Sequence, residues 1–323
     1  MLGNESRQIN GSETLAFPTI GIVLLGGISD PARRYPLHNS AGIAYTSEDQ
    51  DIYTRTRLFY SNEQSITING KRVDPDDPRT PLHILSKYAY NVAGLKGKLS
   101  VYSENRGIIS GSSDAGAAAL ARSAEEMFCI NDMRMLENDF RSISESVGRS
   151  LLGGLTVTEL VDGVPLTTRL LGPEDFGNYV IVAFMFSDNR NPSDTIHRNV
   201  VKSPNYAQRI SSTAKKCLIL KELAGRKDIK GIFELAMGDT EEYHALLESV
   251  EVKVITSQMR ALIQKLKEER DNFWRSYIVT GGTNVFVVAE KKYAAELQEL
   301  AHSLNIQSKR LKVAGAARVY MDF

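Results

Sequence analysis

The stretch KLSVYSENRGIISGSSDAGAAALARS, residues 98–123, decides how this chain is read. Residues 98–105 read as a strand, and the Ala-rich run that begins near Ser113 or Asp114 reads as a helix. Between them lies a loop of glycine and serine. A strand, a small-residue loop and a helix N-terminus together make a backbone cradle for phosphate. The free N–H groups of the first turn and the helix dipole favour an anion there, and small residues allow the backbone to approach it closely. The loop is not G-x-G-x-x-G, and it lacks the spacing and terminal Lys-Ser/Thr of a Walker loop. A plainer reading is also open, in which Ser113 or Asp114 merely caps a core helix.

The neighbouring segments set this loop in a mixed fold. TIGIVLLGG (19–27) reads as a buried strand ending in a glycine pair, and YTRTRLFY (53–60) as a half-exposed strand. SITINGKRV (65–73) carries Asn69-Gly70, the pair preferred in a tight type I′ hairpin turn. Helical periodicity follows over 81–94, with a further helix expected near 133–150 and strands over 153–160 and 179–186. Residues 205–270 are dominated by helical patterns. An apolar strand over 276–290, broken at Thr280–Asn284, then a helix from 291 and a terminal strand close the chain. Hairpins first and helices later argue an α+β fold rather than a doubly wound sheet. The division falls through SDNRNPSDT, giving units 1–187 and 188–323.

Composition narrows the function. Lys+Arg and Asp+Glu number 39 each among 323 residues, so non-specific nucleic-acid binding has no electrostatic driver. No apolar run approaches the ~20 residues of a membrane span, and the polar opening MLGNESRQINGSETLAF does not read as a signal peptide. Cys129 and Cys217 lie far apart without metal-ligand spacing. They are expected as small core residues in a reducing, cytoplasmic setting.

Three other stretches carry possible chemistry. In SISESVGRSLLGG (142–154), Glu145 and Arg149 stand four apart on an expected helix, among small and apolar residues. They are either a surface ion pair or the charged lining of a pocket. The break in YIVTGGTNVFVV is either a bulge or a place where a ligand approaches. The segment SDNRNPSDTIHRNVVKSP holds Arg190, His197, Arg198 and Lys202, which form either a solvated loop or a site for phosphate or carboxylate.

In their order, these stretches resemble the GHMP small-molecule kinase superfamily, and within it the mevalonate diphosphate decarboxylases. The hairpin, helix and SENRGIISGSSDAGAAALA look like that family's hairpin, helix and SEN…GLASSAAG phosphate loop. SESVGRSLLGG is similar to S-x-C-R-S-L-F-G-G, and TGGTNV falls at DAGPNA. The likeness runs from residue 16 onward. It implies a GHMP kinase fold, with an N-terminal lobe like ribosomal protein S5 and a C-terminal α/β lobe. It also implies ATP held by Ile109, Ser110, Gly111, Ser112 and Ser113, with Mg²⁺, and a substrate carboxylate held by Arg149.

The departures from the decarboxylase pattern shape the expected substrate. The lysine of NIAVIKYWGK, which meets the 5-diphosphate, falls at Leu25 with Leu24 beside it; the aspartate of DAGPNA is Thr280; and a glycine is Glu145. An apolar wall and an added carboxylate disfavour a charged 5-diphosphate but suit a free 5-hydroxyl. Phosphoryl transfer tolerates loss of the aspartate, because positioning and charge neutralisation carry it. This pattern resembles the archaeal mevalonate 3-kinases of the Thermoplasma and Picrophilus type. The expected reaction is ATP-dependent phosphorylation of the 3-hydroxyl of (R)-mevalonate. Glu145 and Arg190 are expected at the substrate hydroxyls, Leu24, Leu25 and Thr280 in the wall, and Arg198 or Lys202 at the nucleotide. No general base stands out beyond Glu145. The metal ligands are unassigned, and a homodimer is in keeping with the resemblance. A decarboxylase of a phosphorylated mevalonate, or an inactive ligand-binding member, are the other readings.

Overall fold

The computed structural model describes residues 10–30, 32–74, 80–91, 98–186, 191–268 and 272–322. The chain runs through β1 (Gly11–Ala16), β2 (Thr19–Val23), β3 (Ser40–Ser47), β4 (Tyr53–Ser61), β5 (Ser65–Ile68) and β6 (Lys71–Val73). It continues with α1 (Leu82–Asn91), β7 (Lys98–Arg106), α2 (Ser112–Phe128), α3 (Met133–Phe140), α4 (Val147–Leu152), β8 (Leu155–Val161), β9 (Val164–Leu171) and β10 (Tyr179–Met185). Then come α5 (Ser193–Val200), α6 (Tyr206–Gly225), α7 (Ile229–Glu248), α8 (Ser257–Glu268), β11 (Arg275–Val279), β12 (Asn284–Glu290), α9 (Ala294–Ser303), β13 (Gln307–Val313) and β14 (Arg318–Asp322).

Two sheets organise these elements. A six-stranded sheet has the order β14-β1-β4-β7-β5-β6. An eight-stranded sheet has the order β11-β12-β10-β13-β3-β8-β9, with β2 paired to β3. The fold is α+β, as expected. The hairpin turn between β5 and β6 has Asn69 at φ 50 and Gly70 at φ 75, the left-handed pair that a type I′ turn requires. β10 reads as a continuous apolar run because both its faces are covered. Ile181 and Ala183 belong to one core cluster with Phe233 and Leu220 of the helices α7 and α6, while Val180, Val182 and Phe184 belong to another with Leu262 and Leu297 of α8 and α9. β10 ends just before the division expected at 187/188. It pairs with β12 and β13, β13 also pairs with β3, and β14 returns to β1.

Some local expectations change. The helix expected over 133–150 is two helices. Asp132 caps α3 by accepting from the N–H groups of Arg134 and Met135 at 3.0 Å each. The chain then turns over 141–146, where the buried Arg141 guanidinium donates to the Glu145 carbonyl and the Glu137 carboxylate. Residues 276–290 form an antiparallel hairpin, β11 and β12, rather than one broken strand; the break at 280–283 is its loop. Cys217 is buried as expected, but Cys129 is exposed, because it ends α2 in the left-handed region at φ 52.

Candidate functional site

The site is built where β2, the N-terminus of α2, the turn before α4, α5 and the 280–283 loop converge. α2 begins on Gly111, with φ 77 and no side-chain cap. Neither Ser113 nor Asp114 caps the helix, so the first-turn N–H groups of Ser112, Ser113 and Asp114 have no intrahelical acceptor. Gly111 is also the residue that lets the loop touch β2: a Cβ there would stand 2.6 Å from the Thr19 nitrogen. The preceding residues are anchored instead. Tyr45 Oη accepts from the Ser110 N–H at 2.9 Å and donates to its carbonyl at 2.8 Å. Ile109 packs on the core, and its carbonyl accepts from Asn284 Nδ2 at 3.3 Å. The uncapped N–H groups are therefore those of 112–114, and Ile109 and Ser110 are anchored behind them.

Two cavities flank this loop, and Ser113 lines both. On one side lies an apolar pocket under the β5–β6 hairpin, bounded by Ile66, Val73, Val101, Ser112 and Gly116. On the other lies a polar cavity. The structure brings Leu24, Leu25, Glu145, Arg149 and Thr280 together in that polar cavity, along with Ser110 and Gly111. Thr280 Oγ1 lies 3.3 Å from Ser110 Oγ.

Arg149 is buried there, 5% exposed, and its Nε and Nη2 have no hydrogen-bond partner among the described residues. Gly42 makes the space for it, since a Cβ on that glycine would stand 2.6 Å from Arg149 Cδ. Burial pushes the guanidinium pKa down, and the nearby charges of Asp114 and Glu145 oppose this. Asp114 is also buried. It accepts from Ser144 Oγ at 2.6 Å and from the Thr19 hydroxyl. Burial raises its carboxyl pKa, with those hydrogen bonds and the Arg149 charge acting in opposition.

Glu145 differs from expectation in its partners. It lies in the turn ahead of α4, not on one helix with Arg149, and its carboxylate is engaged elsewhere. Oε2 accepts from Arg34 Nε at 2.9 Å and Nη2 at 2.7 Å, and Oε1 faces His197 Nε2 at 3.0 Å. Because His197 Nδ1 accepts from the Gly27 N–H at 3.1 Å, the ring proton sits on Nε2 and is donated to Glu145. Burial alone would raise the Glu145 pKa. The His197 hydrogen bond and the Arg34 charge outweigh it and hold the carboxyl well below the usual range. A carboxylate so held is a poor general base.

Other expected residues are placed elsewhere. Lys202 is exposed and donates to Asn199 Oδ1 at 2.9 Å. Arg198 donates to the Asp194 carbonyl at 3.2 Å and lines a different cavity, with Arg34 and His83. Neither reaches the phosphate loop. Arg190 lies outside the described residues. Arg34 was missed, since nothing local in SDPARRYPLH signals a residue that pairs with Glu145. His197 was noticed only within its charged segment, and Tyr243, which also lines the cavity, was hidden in an ordinary amphipathic helix.

With this geometry in hand, comparisons with known proteins are consistent. Residues 16–162 match the family model described as the diphosphomevalonate decarboxylase-like N-terminal domain, and residues 191–295 match the mevalonate-3-kinase C-terminal domain. The mevalonate diphosphate decarboxylase of Staphylococcus aureus shares the fold, with a TM-score of 0.83 at 18% identity over 97% of this chain and 98% of that one. The architecture is that of the GHMP kinase superfamily. Similarity is greater to the mevalonate-3-kinase of Picrophilus torridus, 47% identical over 313 residues, 95% of this chain and 97% of the relative. The mevalonate 3-kinase of Thermoplasma acidophilum is 44% identical over 304 residues, covering 94% and 95% respectively. A crystal structure of the Thermoplasma enzyme with mevalonate 3-phosphate and ADP matches at a TM-score of 0.91, 42% identity, over 98% of this chain and all of that one. The chain belongs to the mevalonate-3-kinase family.

Proposed function

We propose that this enzyme transfers the γ-phosphoryl group of ATP to the 3-hydroxyl of mevalonate, giving mevalonate 3-phosphate and ADP. The observation that carries the reading is the buried Arg149, which lines a polar cavity beside an uncapped helix N-terminus and whose Nε and Nη2 have no hydrogen-bond partner among the described residues. A buried cation with open donors calls for an anion. A substrate carboxylate supplies one and accepts two charge-assisted hydrogen bonds. Structures of the Thermoplasma relative hold mevalonate 3-phosphate with ADP, and mevalonate, ligands whose carboxylate and phosphates are the anions such a site calls for.

The nucleoside occupies the apolar pocket under the β5–β6 hairpin, and its phosphates cross the 111–114 N–H groups into the polar cavity, since Ser113 borders both. The 3-hydroxyl oxygen attacks the γ-phosphorus, the bridging oxygen leaves with ADP, and the hydroxyl proton passes to a phosphoryl oxygen. Transfer of this kind goes through a loose transition state, so fixed geometry and charge neutralisation supply most of the acceleration. Glu145, anionic and occupied by Arg34 and His197, orders the polar end of the cavity rather than taking the proton.

A magnesium ion fits the donor set. Asp114 is a buried carboxylate with no cation within ion-pair distance among the described residues, and the Ser113 hydroxyl adjoins it. These hard oxygen donors suit magnesium held mainly through phosphates. Bound there, it would offset phosphate charge.

Reaction stops at the 3-phosphate because Leu24, Leu25 and the neutral Thr280 offer nothing to drive expulsion of that group with carbon dioxide. In this reading the enzyme is a cytoplasmic homodimer, with residues 1–187 and 188–323 as its two lobes. Among the described residues no helix is long and apolar enough to cross a membrane.

Phosphorus NMR of the product of ATP and mevalonate tests the proposal. A phosphate on the tertiary C3 has no proton on its carbon and gives an unsplit resonance. A resonance split by a neighbouring CH₂, or release of carbon dioxide, refutes it.

A further inference from the structure

The segment after β2, Leu24–Gly27, is held to an unusual degree by side chains of three helices. Leu24 N–H donates to Asp239 Oδ2 at 2.7 Å, and its carbonyl accepts from Arg209 Nη2 at 2.7 Å. The Leu25 carbonyl accepts from Tyr243 Oη at 3.1 Å, and that of Gly26 from Tyr206 Oη. The N–H groups of Gly26 and Gly27 donate to His38 Nε2 at 3.2 Å and His197 Nδ1 at 3.1 Å. The glycine pair is what permits this approach. A Cβ at Gly26 would stand 2.6 Å from Tyr243 Cε2, and one at Gly27 would stand 2.3 Å from Tyr206 Oη.

Behind the segment, Arg209 and Asp239 form a fully buried ion pair, with contacts of 2.5 and 2.9 Å. Lys216 adds a contact of 2.8 Å to Asp239. Neither Arg209 nor Asp239 lines the substrate cavity. Such a pair is a costly way to gain stability, since each charge loses its hydration. What these two charges do is grip both polar groups of Leu24.

We infer that Arg209, Asp239 and Tyr206 are positioning residues for substrate selectivity: they hold Leu24 and Leu25 as an immobile apolar wall at the 5-hydroxyl end of the cavity, excluding a 5-phosphate. This rests on the mevalonate reading above. A leucine wall rejects a charged group only while it cannot move aside. Were the segment loosened, the wall would withdraw and the Arg209 guanidinium would be freed from the Leu24 carbonyl to meet an anion.

The test compares wild type, Tyr206→Phe and Asp239→Asn in ADP release with mevalonate and with mevalonate 5-phosphate, alongside thermal melting. In both variants KM for mevalonate should rise while kcat stays within about twofold. The preference for mevalonate over its 5-phosphate, as a ratio of kcat/KM, should fall about tenfold or more. A folded variant that keeps the wild-type ratio, or loses kcat alone, overturns the inference. If Asp239→Asn does not fold, Tyr206→Phe decides, because it removes one hydroxyl and no charge. Wild type that releases no ADP with mevalonate overturns the functional reading and this inference together; an active wild type with unmoved variants overturns this inference only.

Discussion

Replacing Arg149 with methionine should raise stability while it removes activity. Arg149 lines the cavity, with Nε and Nη2 buried and unpartnered among the described residues. A buried donor left without an acceptor costs about 1–3 kcal/mol, so two such donors weigh against the unliganded protein. Methionine fills a similar volume without that cost. Asp114 and Glu145 lose a favourable charge in exchange, but neither forms an ion pair with Arg149 among the described residues, which leaves a net gain on the order of 1–3 kcal/mol from removing the unsatisfied donors. In a protein of this size that is a Tm rise of a few degrees. Activity should move the other way. Two charge-assisted hydrogen bonds to the substrate carboxylate, at about 1.5–3 kcal/mol each, correspond to a loss of roughly 10²–10⁴ in kcat/KM. Scanning calorimetry with and without mevalonate joins the two effects. Wild type should be stabilised by about 2.7 kcal/mol at a hundredfold excess over Kd, and the methionine variant should not respond. A variant that loses more than about 1 kcal/mol of stability, or stays within tenfold of wild-type kcat/KM, refutes the assignment of those donors to a substrate anion.

Glu145→Gln should destabilise, because an amide –NH₂ must then face either the Arg34 guanidinium or the His197 Nε2–H. Disrupting a pair this buried costs about 3–5 kcal/mol, read by urea unfolding, and KM for mevalonate should rise with it. Stability should also fall on acidification below neutrality. Burial lowers the pKa of His38 and His244 from 6.5 to about 4 in each case, against backbone hydrogen bonds that raise it. Above pH 6.5 both are neutral in folded and unfolded chains alike. Between 6.5 and 4 only the unfolded chain binds the protons, so stability is lost across that window, at most about 3 kcal/mol per histidine. Melting temperatures from pH 7 to 4 check this, and a flat profile counts against neutral, buried rings.

Much of the scaffold was legible because its signals are local. The Asn69-Gly70 turn, the alternation of 53–60 and the small-residue loop before α2 each depend on a few adjacent residues, and each element stands where it was expected. The helix over 133–150 was misread because its interruption comes from Arg141, a side chain turned back onto a backbone carbonyl, which leaves no periodic trace. The hairpin at 275–290 was read as one strand because apolar strands on either side of a short loop look continuous when both are buried on both faces. Arg198 and Lys202 were expected at the nucleotide from their charge alone, and charge does not specify direction.

The sequence by itself determined the class of chemistry. The phosphate loop, Arg149 and the departures at Leu24, Leu25, Glu145 and Thr280 are identities, and identity is enough to say which groups are charged, apolar or missing. Tertiary structure decided how those groups are used. Glu145 answers to Arg34 and His197 rather than to Arg149, and Leu24 is gripped by Asp239 and Arg209, residues more than 180 positions away. These partners come from separate elements and meet only after the sheets close. A hydrogen bond depends on distances of about 3 Å, and no spacing along the chain encodes those.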